Sequence, residues 1–424
     1  MARRRRLPPL RFQYMKLFLF IFLCLPLPLH ALTLPEVVEV VLKNHPSLQA
    51  AQASLKGALA EKKAAPWLPD PEIGIKFEEA PLEHPGFSQA KKTSLSASQE
   101  IPFPGKLITQ TQISKEEIKV QKALLTREER QKIFETKKTY FELIANQHQI
   151  QAQENILQSY RTLLASIEKN YQMNTSPSPP MGSPLSDLYM MKMKKAESEA
   201  LLHDLHHQHH ALEAKLNLMM GMDAMAPLQK LKEPSLKTLK GDPHTLEEKL
   251  LHQNADLSAL AFEWEKAKKE ITQARLSYVP DLRVEASHDW LSGEENAYSV
   301  GMALNLPLWI PKNQAQVDRA KALKEKSRFL LETEKINLKE EMHYLIQHAQ
   351  EHRSIVQKYR NEIVPYARSA WKLDFENYTQ QQGNLTLIIE KLVNFSNAEI
   401  ESWKMWLDYQ VSYAALEMLI GEEL

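Results

Sequence analysis

The chain repeats itself. Residues from about Leu34 to Gly221 and from about Thr245 to Gly421 pass through one order of signals, and the last leg recurs at an offset of 200 positions: Leu185, Leu216 and Met219-Met220-Gly221 answer to Leu385, Leu416 and Leu419-Ile420-Gly421. Each half reads as helix, short hairpin of alternating polarity, very long helix, tight turn and helix. From Lys106 to Ser176 there is neither Gly nor Pro, so a helix over 106–171 would hold roughly 66 residues and span about 100 Å. Its partner, 313–378, is as long and is interrupted only by Pro365, which should kink it or leave a bulge. Apolar steps of three and four, as in Ile156, Tyr160, Leu163, Ile167 and Tyr171, mark helices packed on neighbours along their length.

The hairpins have a different period. Ile73, Ile75 and Phe77 alternate with Gly74, Lys76 and Glu78, and Leu95, Ala97 and Ile101 continue more weakly. In the second copy Leu282, Val284 and Ala286 oppose Arg283, Glu285 and Ser287, and Tyr298, Val300, Met302, Leu304 and Leu306 oppose Ser299, Gly301, Ala303 and Asn305. A period of two over roughly 8–10 residues suits strands with lipid on one face and water on the other.

The first 31 residues have the shape of a secretory signal: Arg3 to Arg6, Arg11 and Lys16, then Leu17 to Leu25, then Leu29-His30-Ala31. Met15-Lys16 offers an equally compact start. The leader's six basic residues, taken from the chain's 53, leave 47 against 53 acidic side chains, a mildly acidic balance that argues against nucleic acid. Cys24, the one cysteine, lies in the leader after Leu23 rather than a small residue, so neither lipidation nor a disulfide is expected. After residue 31 no run of about 20 apolar residues occurs, so any membrane passage must use strands.

Backbone polar groups in a bilayer must all be paired, so such strands have to close into a barrel. Single-chain bacterial barrels begin at about eight strands, and this chain offers four, so several copies must share one. Four long helical segments per copy, repeated around the same axis, can close into a hollow cylinder.

With these features the chain resembles the TolC-like outer-membrane efflux factors over essentially its whole mature length. The residues that carry the resemblance are Leu32-Thr33-Leu34, Asn44-His45-Pro46, Pro69-Asp70-Pro71-Glu72, Gln99-Glu100-Ile101-Pro102, Pro104-Gly105-Lys106, Tyr140 to Ala145, Pro280-Asp281 and Leu306-Pro307-Leu308. The Ile101 to Lys106 stretch looks most like the heavy-metal cation branch. The resemblance implies a mainly α fold with membrane β-barrel strands, a homotrimeric α/β-barrel tube of twelve strands and long coiled helices. It implies a passive trans-periplasmic duct in the cell outer membrane, working with a periplasmic adaptor (membrane fusion) protein and an inner-membrane pump. No cofactor and no enzymatic activity are expected.

The expected layout is a signal peptide at 1–31 and a first repeat at 32–221, with a hairpin at 72–101, a long helix at 106–171, a tip at 171–187 and a return helix at 185–220. A linker at 222–244 follows, then a second repeat at 245–424 with a hairpin at 281–306, a long helix at 313–378, a tip at 378–387 and a return helix at 385–420. The helix before the first hairpin is read as one piece from Glu36 to Ala65.

By the resemblance, the tips form the periplasmic gate and the adaptor contact. The candidates are Tyr171, Gly182, Leu185, Ser186 and Asp187 in the first, and Tyr378, Gly383, Asn384, Leu385 and Thr386 in the second. The second tip lacks an acid, and the first carries an unusual insertion, Ser176-Pro177-Ser178-Pro179-Pro180.

His203, His206, His207 and His210 share one helical face, with His209 beside it, and imidazoles so spaced can ligate zinc, copper or nickel. The metal candidates are His203, His207 and His210. The duplicated half argues for a packing face instead, since the matching positions hold Trp403, Trp406, Leu407 and Gln410. Phosphate loops, dinucleotide loops, nucleophile turns and His-Glu-x-x-His are missing. Two other readings compete with the duct. A soluble periplasmic coiled-coil adaptor or scaffold would share the leader and long helices, and a histidine-cluster metalloenzyme would carry stoichiometric metal.

Overall fold

A computed structural model of the chain describes residues 31–79, 90–173, 184–239, 241–291, 295–379 and 385–424. The leader up to residue 30, the insertion Ser176 to Pro180, and Gly182, Gly383 and Asn384 lie outside them.

Two short helices open each repeat: α1 (Leu34–Asn44) and α2 (Pro46–Ala64) in the first. The single helix read over Glu36 to Ala65 is therefore corrected to two. His45 is extended, at φ −66° and ψ 127°, because a residue before proline is pushed out of the helical region. Its Nδ1 accepts from Ser47 N at 3.3 Å and caps the new helix.

Strands β1 (Glu72–Glu78) and β2 (Lys92–Ile101) follow. Then α3 (Pro104–Met173) runs unbroken for 70 residues, roughly 105 Å. The return helix is α4 (Pro184–Met219). The second repeat holds α5 (Pro243–Gln253), α6 (Ala255–Arg275), β3 (Asp281–Leu291) and β4 (Ala297–Asn305). It continues with α7 (Ile310–Lys358), α8 (Val364–Thr379) and α9 (Leu385–Ile420).

A single π turn, Tyr359–Ile363, joins α7 to α8. Pro365 lacks an N–H and its ring would strike the carbonyl four residues back, so one wide turn absorbs the misfit.

Duplication is visible in the hydrogen bonds. Asn44 Nδ2 donates to Met220 O at 3.2 Å, and Asn254 Nδ2 donates to Leu419 O at 2.8 Å, each tying the break between two short helices to the end of its repeat's return helix. Both return helices stop at a left-handed glycine, Gly221 at φ 75° and Gly421 at φ 92°.

The four strands form one antiparallel sheet in the order β1-β2-β3-β4, so the two repeats join at β2 and β3 and leave β1 and β4 as open edges. The helices leave a matching gap. Helices α6 and α9 each pack between α3 and α7, whereas α2 and α4 pack along α3 alone among the long helices. The main core gathers Tyr140, Phe141, Leu216, Met342, Trp406 and Leu416 near the middle of the long helices. A second core, around Leu163, Met191, Ile388 and Leu392, lies nearer the tips.

Candidate functional site

The sheet has two unlike faces. Its register places Ile75, Leu95, His288 and Tyr298 in one cross-strand row, and Ile73, Ala97, Ala286 and Val300 in the next. That face is bare: Ile73 is 76% exposed, Tyr298 82%, Val300 77% and Met302 77%. An apolar surface left to water on this scale marks a place where something else covers it. The opposite face is polar, with rows such as Gly74-Ser96-Ser287-Ser299 and Glu72-Ser98-Glu285-Gly301. Among the described residues no helix is long and apolar enough to cross a membrane.

The sheet is clamped to the helices where two sequence signposts meet. Lys106 Nζ donates to Asp281 Oδ2 at 2.7 Å and to Val279 O at 2.9 Å, while Phe103 N donates to Asp281 Oδ1 at 2.8 Å. Pro104-Gly105-Lys106 and Pro280-Asp281 thus fix the angle at which strands pass into helices.

At mid-length the segment between the repeats acts as a strap. Leu32 N donates to Lys230 O at 2.9 Å, and the buried Tyr140 hydroxyl lies 2.7 Å from Lys232 O, to which it donates. Burial pushes that phenol up to about 12. Further along, Arg353 Nη2 donates to Thr238 Oγ1 at 2.9 Å.

Glu233 lies between an imidazole and a guanidinium, 3.3 Å from His148 Nε2 on α3 and 3.5 Å from Arg360 on the π turn. The His148 ring stacks flat on Trp403 at 3.7 Å, and the Arg360 guanidinium sits 5.2 Å from the same indole. These residues are scattered along the chain from His148 to Trp403, so no local sequence pattern brings them together.

Burial lowers the His148 pKa below 6.5, with Arg360 and Lys230 acting the same way and Glu233 opposing them. A histidine held neutral by the fold contributes stability that is present above pH of about 6.5 and lost as pH falls through its depressed folded value. His148→Phe keeps the stacking and removes the proton site. Its thermal midpoint is therefore expected to fall less than the wild type's between pH 7 and pH 5, and parallel pH curves would refute this role.

The tip residues are only partly in view. Tyr171 lies in the last turn of α3, and Leu185, Ser186 and Asp187 open α4. Tyr378 is half-buried at the end of α8, Leu385 is buried in the tip-side core and Thr386 is exposed beside it.

The histidine face differs from its sister. Trp406 is fully buried, yet His203, His206, His207 and His210 are all exposed. His210 Nδ1 lies 3.3 Å from Glu213, and His209 Nδ1 lies 3.0 Å from Asn146 Oδ1. Among the described residues no three histidine, cysteine or acidic side chains of one chain converge on a metal position.

Comparison with known proteins agrees with this architecture. Residues 37–173 match the family model described as outer membrane efflux protein. A comparison with curated proteins finds no match. Among solved structures, the outer membrane protein VceC of Vibrio cholerae superposes with a TM-score of 0.74 at 18% identity, over 92% of this chain and 96% of that one. The outer membrane channel CmeC of Campylobacter jejuni gives 0.77 at 16%, over 92% and 85%. CusC gives 0.76 at 14%, over 92% of each. The fold is that of the TolC-like channels.

Proposed function

We propose that this chain, which resembles the TolC-like outer-membrane efflux factors in sequence over residues 37–173 and in fold over nearly its whole length, is the channel subunit of a tripartite efflux system. The carrying observation is the four-stranded sheet with one bare apolar face and two unpaired edges at the end of helices roughly 100 Å long. Three copies close twelve strands in the outer membrane, with the polar face inward, and the helices extend the passage through the periplasm as a passive duct. A soluble adaptor would have no use for that apolar face.

The tip residues Tyr171, Gly182, Leu185, Ser186, Asp187, Tyr378, Gly383, Asn384, Leu385 and Thr386 meet the periplasmic adaptor, which connects the duct to an inner-membrane pump. Heavy-metal cations are the proposed cargo, on the likeness of the Ile101 to Lys106 stretch. Cells lacking the chain should become sensitive to cations such as zinc, nickel or cobalt before they become sensitive to organic drugs. Unchanged cation tolerance together with drug sensitivity would overturn the cargo, and recovery of the protein in the soluble periplasm would overturn the channel.

A further inference from the structure

Helix α4 carries a stripe with no partner among the described residues of its own chain. Tyr189, Met193, Ala200, Ala211 and Leu218 recur along it at helical spacing, with Tyr189 63% and Leu218 60% exposed. The stripe is apolar except where His203 and His207 interrupt it. Neither imidazole makes a hydrogen bond or ion pair among the described residues. Unpaired polar groups inside an apolar contact are unfavourable unless something satisfies them.

The duplication says what covers the stripe. Helix α9 packs on its own long helices α7 and α8 and, across the repeat boundary, on α3, whereas among the described residues α4 packs mainly on α3. The equivalent of the α9–α3 contact is α4 against α7 of the next copy, just as β1 and β4 are left for each other.

The level of that contact can be read from the helices. Trp403 lies on His148 and Ser412 on His348, so the part of α7 beside Trp403 is roughly nine residues past His348. His203, the counterpart of Trp403, is level with His148, since Asn146 donates to Leu205 O at 3.2 Å. The α7 residues facing His203 to His210 are then about 350–357. Leu345, Ala349 and Val356 there are buried toward the chain's own core. Glu351 is exposed on the other side and has no ion pair among the described residues.

We propose that His203 and His207 of one copy and Glu351 of the next form a divalent transition-metal site between protomers. Imidazoles at i and i+4 on one helix face chelate one ion, and a carboxylate completes a His2Glu set with a position left for water. Such a set takes Zn2+, Ni2+ or Cu2+ in preference to Mg2+ or Ca2+. The ion satisfies the two imidazoles in the apolar seam and locks neighbouring helices. The inference rests on the ring of copies proposed above.

The test uses the detergent-purified full chain with Cys24→Ala, stripped with chelator and reloaded with Zn2+. Metal per protomer is expected near one, and heat dissociation of the oligomer is expected at higher temperature with Zn2+ than without. His203→Ala with His207→Ala should abolish both, and Glu351→Gln should weaken binding by more than about tenfold, the loss caused even by an outer-shell change. A His207→Cys, Glu351→Cys variant should cross-link between chains on oxidation. A stable oligomer without bound metal and without the cross-link overturns the clamp and leaves the channel standing. A monomer overturns both.

Discussion

Arginine at Val300 is expected to stop the protein from assembling in the outer membrane, while arginine at Ser299, one position away, leaves assembly intact. Val300 is central on the nine-residue β4, opposite Ala286, on the apolar face. A cationic side chain on the lipid face of a barrel strand costs about 2–4 kcal/mol near the midplane, and every copy would carry one. Ser299 lies on the polar face beside Ser287, where a long side chain can extend into water. The measurement is the heat-resistant oligomer recovered from outer membranes. In a soluble scaffold Val300 would be an ordinary exposed residue, and surface changes of that kind usually stay within about 0.5 kcal/mol. Equal behaviour of the two variants would therefore count against lipid contact.

The second large effect concerns the core, where α3 meets the end of α9. Lys137 Nζ lies 2.6 Å from Glu417 Oε2, with the two side chains only 9% and 7% exposed. Lys237 approaches the other carboxylate oxygen at 3.1 Å and is itself about half exposed. Removing one partner of a buried pair costs about 3–5 kcal/mol because the other charge is stranded. Glu417→Leu strands Lys137, whose next acid, Glu423, is 3.9 Å away and 82% exposed. Its loss of stability should reach that range. Lys137→Met should cost less, since Lys237 still neutralises Glu417, and the double variant should recover most of the loss. Additive single effects in a thermal-melting cycle would show that the pair is not coupled.

Much of the fold was legible in the chain, for reasons of local physics. A stretch without Gly or Pro and with apolar steps of three and four has no alternative to a long helix, and α3 extends over 70 residues. Alternation in Val300, Met302 and Leu304 separates the two faces of the sheet before any pairing is known. The break at His45 is written in the sequence as Pro46, which pushes the residue before it out of the helical region. The equivalent break at Asn254 has no proline and depends on that side chain capping Leu257 N at 3.0 Å while reaching Leu419 O.

Contacts between distant segments were not legible. The strap at 230–238 owes its place to Tyr140, His148, Arg353 and Arg360, and none of these pairings leaves a periodic trace in sequence. At the histidine face the sister tryptophans suggest a packed surface, and within one chain that face is exposed. A duplicated helix can have its counterpart's contact supplied by another molecule, which a single sequence does not disclose.

The proposed channel requires neighbouring copies to complete what one chain leaves open. Cryo-electron microscopy of the protein extracted from outer membranes tests this most directly. The expected map shows three chains about one axis, with β4 of each paired to β1 of the next in a closed barrel that continues into a helical tube. A single chain with both hairpins folded against a dry interior of its own would contradict it.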